Sequence, residues 1–287
     1  MSPNILTAIK NISDLKTNNM RDYFKEYATP QIKTPRQQLE YYLKDAISGS
    51  FKSAKEEKAK DRYSGVFSYL GNKLNPPDMI LEGGDALVLK TSKTYKASLT
   101  LSNSPPKDRL NWNDPWIFRN RRTIGSGQWN SKDIFYVNGW IEKGKIKYLY
   151  FVQGRCYASE ESVYNKKIAD LKKNIENYLA AEGLEVNKTI GLGKASNIDP
   201  LGITNLRIKY IWKIQNPLIA FSDIYIYDKK KDFTLIALML KNKFDSFPEN
   251  DIDAIMKDKQ INVSDVKIKN PNNPEKKIQA KLITISW

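Results

Sequence analysis

The stretch NPPDMILEGGDALVLK, residues 75–90, holds an aspartate and a lysine at a spacing suited to phosphodiester hydrolysis. Asp78 follows a Pro-Pro pair, and Lys90 ends a second apolar run after a Gly-Gly-Asp turn. Carboxylates hold hard cations such as Mg²⁺, which polarise a phosphate, and an adjacent lysine can orient or deprotonate a water. We therefore predict that Asp78 binds a metal ion and that Lys90 is catalytic. The alternative is that Asp78 is only a turn residue and Lys90 only a solvated strand end.

One acidic residue is missing from this arrangement. Metal-dependent nucleases usually carry a second acid two residues before the lysine, and this chain has Val88 there. The chain could be an inactivated variant or a naturally degenerate protein. A third explanation is that another acid completes the site, with Glu40, Glu82 and Asp85 as candidates.

Periodicity predicts the elements that position these residues. The segment TPRQQLEYYLKDAISGSF predicts a helix that begins at Thr34, a capping residue, followed by Pro35 in the first turn. Glu40 lies near the edge of its apolar stripe, and strands are predicted over 79–81 and 86–90 around the EGGD turn. The predicted stripe consists of Leu39, Tyr42, Leu43, Ala46 and Ile47.

The rest of the chain predicts more strands than helices. These patterns predict a hairpin at 133–152, a helix at 161–181, a strand at 205–214, a hairpin at 218–241 that turns at 229–231, and a C-terminal strand at 276–287. We predict an α/β fold with a central mixed sheet flanked by helices and extra strands in the C-terminal half. The chain is predicted to be one domain, with a helical part (1–65), catalytic core strands (66–155), and a helix plus a β-rich DNA-recognition part (156–287).

Composition narrows the chemistry. Histidine is absent, which excludes histidine-based nuclease sites, Ser-His-Asp and Cys-His triads and His-containing zinc sites. Cys156, the single cysteine, is predicted to fill the core. No apolar run is long enough to cross a bilayer, and the N-terminal segment lacks the apolar stretch of a signal peptide, so we expect a cytoplasmic protein without a membrane partner.

The charge balance favours a polyanionic partner. Lys and Arg number 47 against 32 Asp and Glu, giving a formal net charge of +15. A generally lysine-rich proteome would explain the excess without any such function. An RNA-binding protein that stacks bases on its Trp and Tyr residues is a further alternative.

Several basic and polar clusters are candidates for DNA contact, because arginine, lysine and small polar side chains bind phosphates and base edges. Each residue alone could equally be a solvated loop charge. The candidates are Ser102, Asn103, Ser104, Lys107, Arg109, Arg119, Arg121, Arg122, Lys194, Asn197, Arg207 and Lys209.

Four segments between residues 66 and 209 carry a family resemblance: FSYLGNKLNPPDMILEGGDALVLK, LSNSPPKDRL, KDIFYVNG and NIDPLGITNLRIK. Together they resemble the NgoPII family of type II restriction endonucleases, within the PD-(D/E)xK superfamily. The resemblance implies Mg²⁺-dependent cleavage of double-stranded DNA, at GGCC for the namesake of the family. It also implies a homodimer and a cognate DNA methyltransferase.

Carried over by position, Asp78 matches the proline-linked aspartate of the motif and Lys90 its lysine. The family pattern has glutamate where this chain has Val88, and helices of the superfamily often lend an acid, which makes Glu40 a catalytic candidate. If no acid fills the gap, the chain would be a catalytically silent DNA-binding protein on a nuclease scaffold.

Overall fold

The computed structural model describes residues 3–20, 23, 34–52, 63, 65–72, 75–92, 94–102, 104–114, 129–189 and 191–287. Packing divides these residues into two units. The larger unit takes its residues from 1–99, 108–158 and 215–287, and the smaller one from 100–107 and 159–214. The single domain and its three parts remain predictions.

Strands outnumber helices in the described part of the chain. The helices are α1 (Ile5–Leu15), α2 (Pro35–Ser48), α3 (Gly154–Tyr157), α4 (Glu161–Ala181), α5 (Pro217–Ala220), α6 (Lys241–Phe244) and α7 (Glu249–Met256), with a 3₁₀ turn at Ser50–Lys52. The strands are β1 (Phe67–Asn72), β2 (Asn75–Leu81), β3 (Ala86–Ser92), β4 (Leu99–Ser102), β5 (Arg109–Asn111), β6 (Ser131–Glu142), β7 (Lys145–Gln153), β8 (Glu185–Val186), β9 (Gly193–Ser196), β10 (Leu206–Ile208), β11 (Trp212–Ile214), β12 (Thr234–Leu240), β13 (Asn262–Asn270) and β14 (Asn273–Ser286).

The larger unit is built on one mixed sheet to which nine of the described strands belong. Its order is β1-β2-β3-β6-β7-β12-β14-β13, and β5 pairs with β6 off this path. β3 runs parallel to β6 and β7 parallel to β12, whereas the other neighbours are antiparallel. The fold is therefore α/β with a mixed central sheet flanked by helices, as the sequence predicts.

Helix α2 forms as predicted and packs on the sheet together with α1. The Thr34 hydroxyl accepts from the Gln37 amide at 3.3 Å, and the Gln37 side chain accepts from the Thr34 amide at 3.1 Å, completing a capping box. The helix ends at Gly49, whose φ of +71° lies in the left-handed region that glycine adopts at a C-cap. All five residues of the predicted stripe are buried in the core, which also takes side chains from α1 and β3.

Other predicted elements are confirmed with small changes in length. β6 and β7 form the hairpin predicted at 133–152, α4 spans 161–181, and β14 contains the C-terminal strand. Cys156 is buried, as expected of a core residue. Helix α4 buries little of its apolar surface, because Leu179 is buried while Leu171 is 50% exposed.

Two strand predictions are wrong. The segment predicted as a hairpin at 218–241 instead begins with α5, continues without strand to residue 233, and ends in β12. The Asn216 side chain starts that helix by accepting from the Leu218 amide at 2.9 Å. The strand predicted at 205–214 is split into β10 and β11, which pair with different partners.

The smaller unit contains α4 and short strands. Its described strands form one sheet of order β10-β9-β8 and a two-stranded pairing of β11 with β4. In the ranges that the structure describes, no helix is both long and apolar enough to span a bilayer.

Candidate active site

The hairpin formed by β2 and β3 opens at the predicted aspartate. Going from the turn toward Asp78, the last paired residues of the two strands are Met79 and Leu87. The two prolines that precede Asp78 have no N–H to contribute to a ladder. The Leu89 amide therefore donates to Oδ2 of Asp78, at 2.7 Å, instead of to the backbone of β2. This bond fixes the carboxylate beside the C-terminal half of β3.

Side chains alternate along β3 between the core face of the sheet and the face that carries the candidate catalytic residues. Leu87 and Leu89 belong to the core that contains α1 and α2. Val88 and Lys90 therefore point to the opposite face of the strand. The predicted acid position and the predicted lysine thus share a face, as the sequence pattern requires.

Asp78 is a buried carboxylate with a cationic partner. It is 5% exposed, and Oδ1 accepts from the guanidinium of Arg36 in the first turn of α2. Burial raises the pKa of the Asp78 carboxyl above its usual range. Arg36, the Leu89 amide and the charge of Lys90 oppose that shift, whereas the charge of Glu40 adds to it. Lys90 and Glu40 are therefore each close enough to act electrostatically on Asp78.

Lys90 shares this environment. Burial lowers its pKa below the usual range of a lysine, and Arg36 lowers it further, while Asp78 opposes both. A lysine whose pKa is lowered holds its proton less firmly and is better suited to accept one from water.

Helix α2 supplies a row of alternating charges at i, i+4 spacing. Arg36 pairs with Asp78, and Glu40 accepts from Lys44 at 2.7 Å. Sequence analysis identified Glu40 but missed Arg36. The signal that could have found Arg36 is its position one turn before Glu40 on the same helical face.

Close packing brings this row to the active end of the sheet. A Cβ built on Gly139 of β6 would lie 2.7 Å from Cδ2 of Leu39. Glycine therefore lets α2 approach the sheet more closely than a residue with a side chain would. Leu39 precedes Glu40 directly, so this contact sets the height of the acidic residue above the sheet.

The structure distinguishes the three candidates for the missing acid, which are Glu40, Glu82 and Asp85. The position of the missing acid itself is held by Val88, which is 6% exposed and offers no oxygen. Glu82 is exposed in the turn, and Asp85, at the start of β3, is paired with Lys243 at 2.6 Å. Of the three candidates, Glu40 is the one whose charge acts on Asp78. Among the described residues no group of three acids, histidines or cysteines could hold a metal ion.

Comparison with known proteins places the chain in a family. Residues 3–269 match the family described as NgoPII restriction endonuclease. The chain belongs to the NgoPII restriction endonuclease family. It is 38% identical over 247 residues to the type II restriction enzyme NgoPII of Neisseria gonorrhoeae, covering 86% of this chain and 87% of that enzyme. No solved structure matches the chain.

As a member of the NgoPII family, the chain is a restriction-endonuclease homologue, and its predicted DNA contacts can be located in part. Five of the predicted DNA contacts lie outside the described residues: Asn103, Arg119, Arg121, Arg122 and the side chain of Ser102. Ser104 is partly exposed, and Arg109 on β5 is partly buried. Lys107 is 4% exposed and lies 3.3 Å from Glu161, so its ammonium is engaged within the protein.

The smaller unit of this NgoPII-family chain presents the other candidates on β9 and β10. Lys194 lies directly opposite Arg207 in the antiparallel pair, and like charges in that position are destabilising. Arg207 and Lys209 are exposed, as is Asn197, which adopts φ +55° and donates to Glu185 at 3.1 Å. An anion between Lys194 and Arg207 would relieve their repulsion.

Proposed function

We propose that this chain is a type II restriction endonuclease that hydrolyses phosphodiesters of duplex DNA at a specific site, with Mg²⁺ as cofactor. The observation that carries the proposal is that Lys90 and Glu40 both lie close enough to Asp78 to act on its charge, at the open end of the β2–β3 hairpin where the Leu89 amide holds Asp78. That arrangement supports a PD-(D/E)xK active site in which Glu40 takes the part of the acid absent at Val88.

The donor set fits a magnesium ion. Mg²⁺ is commonly held by one or two carboxylates, with waters and substrate phosphates completing its octahedron. The charge of Glu40 raises the cost of ionising Asp78, and a cation beside them would remove that cost. Asp78 and Glu40 would hold the ion, and Arg36 would yield or share its carboxylate oxygen. When bound, Mg²⁺ supplies Lewis-acid polarisation of the scissile phosphate.

The protein residues divide the remaining work. The Leu89 amide fixes the orientation of Asp78. Lys90, with its lowered pKa, orients the attacking water and accepts or shares its proton. Arg36 favours the ionised form of Asp78 against the effect of burial, and its charge is available to a phosphate oxygen once the carboxylate turns to another cation.

Val88 tests this proposal directly. We expect Val88→Glu to cleave plasmid DNA roughly tenfold or more faster than the unsubstituted chain in Mg²⁺, because it restores a metal-binding carboxylate. Residual cleavage by the unsubstituted chain should disappear in Glu40→Gln. Discrete fragments on a gel, with and without EDTA, measure both effects, and Lys90→Ala in the Val88→Glu background is the inactive control. Failure of Val88→Glu to cut any unmethylated DNA would count against the nuclease proposal.

Sequence recognition is proposed at a finer level. The family resemblance of the sequence implies GGCC as the first site to test, and the chain is 38% identical to the relative over 86% of its length. A palindrome is cut by two symmetric subunits, so we propose a homodimer on DNA and a methyltransferase that protects the same site. The base contacts are proposed for Ser102, Asn103, Ser104, Arg109 and the basic residues of β9 and β10. Cleavage of GGCC plasmids only when they are unmethylated would support this assignment.

The buried valine also favours a second candidate function. A chain that keeps the scaffold but cannot hold the metal would bind duplex DNA without cutting it. This alternative predicts tight duplex binding by the unsubstituted chain and no Mg²⁺-dependent fragments at any protein concentration. Cleavage by the unsubstituted chain that depends on Glu40 would exclude it.

A further inference from the structure

A cluster of aromatic rings and lysines lies just beyond the end of β3 in the larger unit. It consists of Tyr95 and Lys96 after β3, Trp140 on β6, and Tyr227 and Lys229 before β12; we name it the Tyr95–Lys229 surface. The Tyr95 ring centroid lies 5.9 Å from that of Trp140 and 6.4 Å from that of Tyr227. Nζ of Lys229 lies 3.8 Å from the Tyr95 centroid, and Nζ of Lys96 lies 5.2 Å from it.

Two positive charges converge on one phenol here. Side-chain hydrogen bonds from Lys96 and Lys229 hold the pKa of Tyr95 below its usual value. Neither lysine forms an ion pair with a carboxylate of the described residues. Asp232, three residues after Lys229 in the sequence, is already paired with Lys145 and Lys147, both at 3.2 Å. Two ammonium groups that share a ring and have no ion-pair partner among the described residues repel each other, and an anion placed between them would stabilise both.

The backbone under this surface is fixed by a buried polar network. The Asn216 amide lies 3.3 Å from the carbonyl oxygen of Tyr95 and 3.2 Å from that of Ala97. The Tyr148 hydroxyl donates to the same Tyr95 oxygen at 3.1 Å and also lies 3.4 Å from the Ser92 hydroxyl on β3. Asn216 and Tyr148 are both 0% exposed. The segment is thus held in place before any ligand binds, which reduces the entropy lost on binding.

Its position relates it to the active site. Tyr95 follows Lys90 by five residues, a length of chain that spans at most about 18 Å. A DNA strand whose scissile phosphate lies at Lys90 therefore carries further phosphates within reach of Lys96 and Lys229. Both lysines are exposed, which suits the repeated charges of a nucleic-acid backbone.

We propose that the Tyr95–Lys229 surface binds a backbone phosphate of duplex DNA close to the scissile bond. The contact positions the strand on the catalytic end of β3 and carries no sequence information. This inference rests on the proposed function, because it assumes that the chain binds duplex DNA.

The test measures duplex binding without cleavage. Fluorescence anisotropy with a labelled GGCC duplex and a matched duplex lacking the site, in EDTA, gives affinity over a salt series. Lys229→Ala should weaken binding to both duplexes by a similar factor and reduce the slope of log K against log salt by about 1. Lys96→Ala with Lys229→Ala should weaken binding further while the slope falls by about 1 in all, because the two lysines share one phosphate, and Lys229→Arg should preserve the slope. Tyr95→Phe should fall between the single variant and the unsubstituted chain, because it keeps the ring and loses the oxygen.

Lys257→Ala is the matched control. It removes the same charge from an exposed site at the end of α7, which packs against α1 on the other side of the sheet, and should leave the slope unchanged. If Lys229→Ala and the double variant retain the slope of this control while the unsubstituted chain binds DNA, the Tyr95–Lys229 proposal is wrong and the nuclease proposal stands. If the unsubstituted chain binds neither duplex at low salt, both proposals fail.

Discussion

At the scale of single residues, the candidate site depends on charges that compensate one another in a partly buried place. Asp78 could be predicted because a proline-linked aspartate before a strand is visible in the sequence, and Lys90 because it ends the next strand. Arg36 could not be assigned to the site in the same way. Its role depends on where α2 lies against the sheet, which no local pattern encodes. Glu40 was found as an acid near the stripe edge, but only the structure distinguishes it from Glu82 and Asp85.

The pairing of Arg36 with Asp78 predicts a stability effect. Arg36→Ala would leave a buried carboxylate without its nearest cation, and because the Arg36 side chain is 27% exposed the cost is moderated by solvent. We expect the free energy of unfolding to fall by about 1–3 kcal/mol. Urea denaturation of Arg36→Ala and Arg36→Lys measures this effect, with the lysine variant retaining part of the stability. Equal stability of Arg36→Ala and the unsubstituted chain would show that the ion pair contributes nothing.

At the scale of elements, the packing of α2 against β6 positions the residues that α2 contributes to the candidate site. Gly139→Ala should place a methyl group against Leu39 and lower the free energy of unfolding by about 1–3 kcal/mol, because a packed core resists added volume. In the Val88→Glu background it should also slow cleavage, since α2 carries both Arg36 and Glu40. Thermal melts and plasmid cleavage measure the two effects.

Shortening the opposing side chain gives the control for that prediction. Leu39→Val should make room for the new methyl, so Gly139→Ala should cost less stability in that background than alone. Strict additivity of the two changes would mean that the cost of Gly139→Ala arises elsewhere.

The strands β9 and β10 carry a second prediction at this scale. Removing one of two like charges that face each other should stabilise the free protein by about 0.2–1 kcal/mol while weakening its binding to duplex DNA. Lys194→Ala is the test, and Lys188→Ala, outside the pairing, is the control of equal charge. A rise in the free energy of unfolding together with a fall in affinity for duplex DNA would show that the charge pair serves DNA binding. A fall in both stability and affinity would contradict the prediction.

An element can be predicted from the sequence when one of its faces is buried and the other is exposed, because its apolar residues then recur with a clear period. α2 and the β6–β7 hairpin show clear caps, turns and periodicity, and they were found. All seven residues of β12 are buried, so this strand has no alternation to mark its partners, and its parallel neighbour β7 is distant in sequence. The Ile-Tyr alternation at 224–227 mimics a strand, but a capped helix turn before it redirects the chain. Helix α1 is not among the predicted elements, because the N-terminal segment is interpreted only through the lysines and asparagines that argue against a signal peptide.

At the scale of the whole molecule, the formal net charge of +15 favours a polyanionic partner. The buried acids are important for how the free energy of unfolding depends on pH. Asp85 is one of them: it is 5% exposed and joins the start of β3 to α6 through Lys243, which also lies 3.8 Å from Asp133 on β6. Burial raises the pKa of Asp85 above its usual value, Lys243 opposes that rise, and Asp133 adds to it.

The sign of the resulting pH dependence follows from proton linkage. Because folding raises the pKa of Asp85, the folded chain holds this proton at pH values where the unfolded chain has released it. The stability that the proton provides is complete below the unfolded pKa of about 3.8 and is lost as pH rises through the folded value. Asp85→Asn lacks this loss. Its unfolding free energy, relative to that of the unsubstituted chain, should therefore rise between pH 4 and pH 7 by about 1.4 kcal/mol for each unit of pKa shift. Urea midpoints across that range, with the exposed Asp253→Asn as control, measure it. A difference that stays constant with pH would show that the carboxyl of Asp85 titrates alike in the folded and unfolded chains.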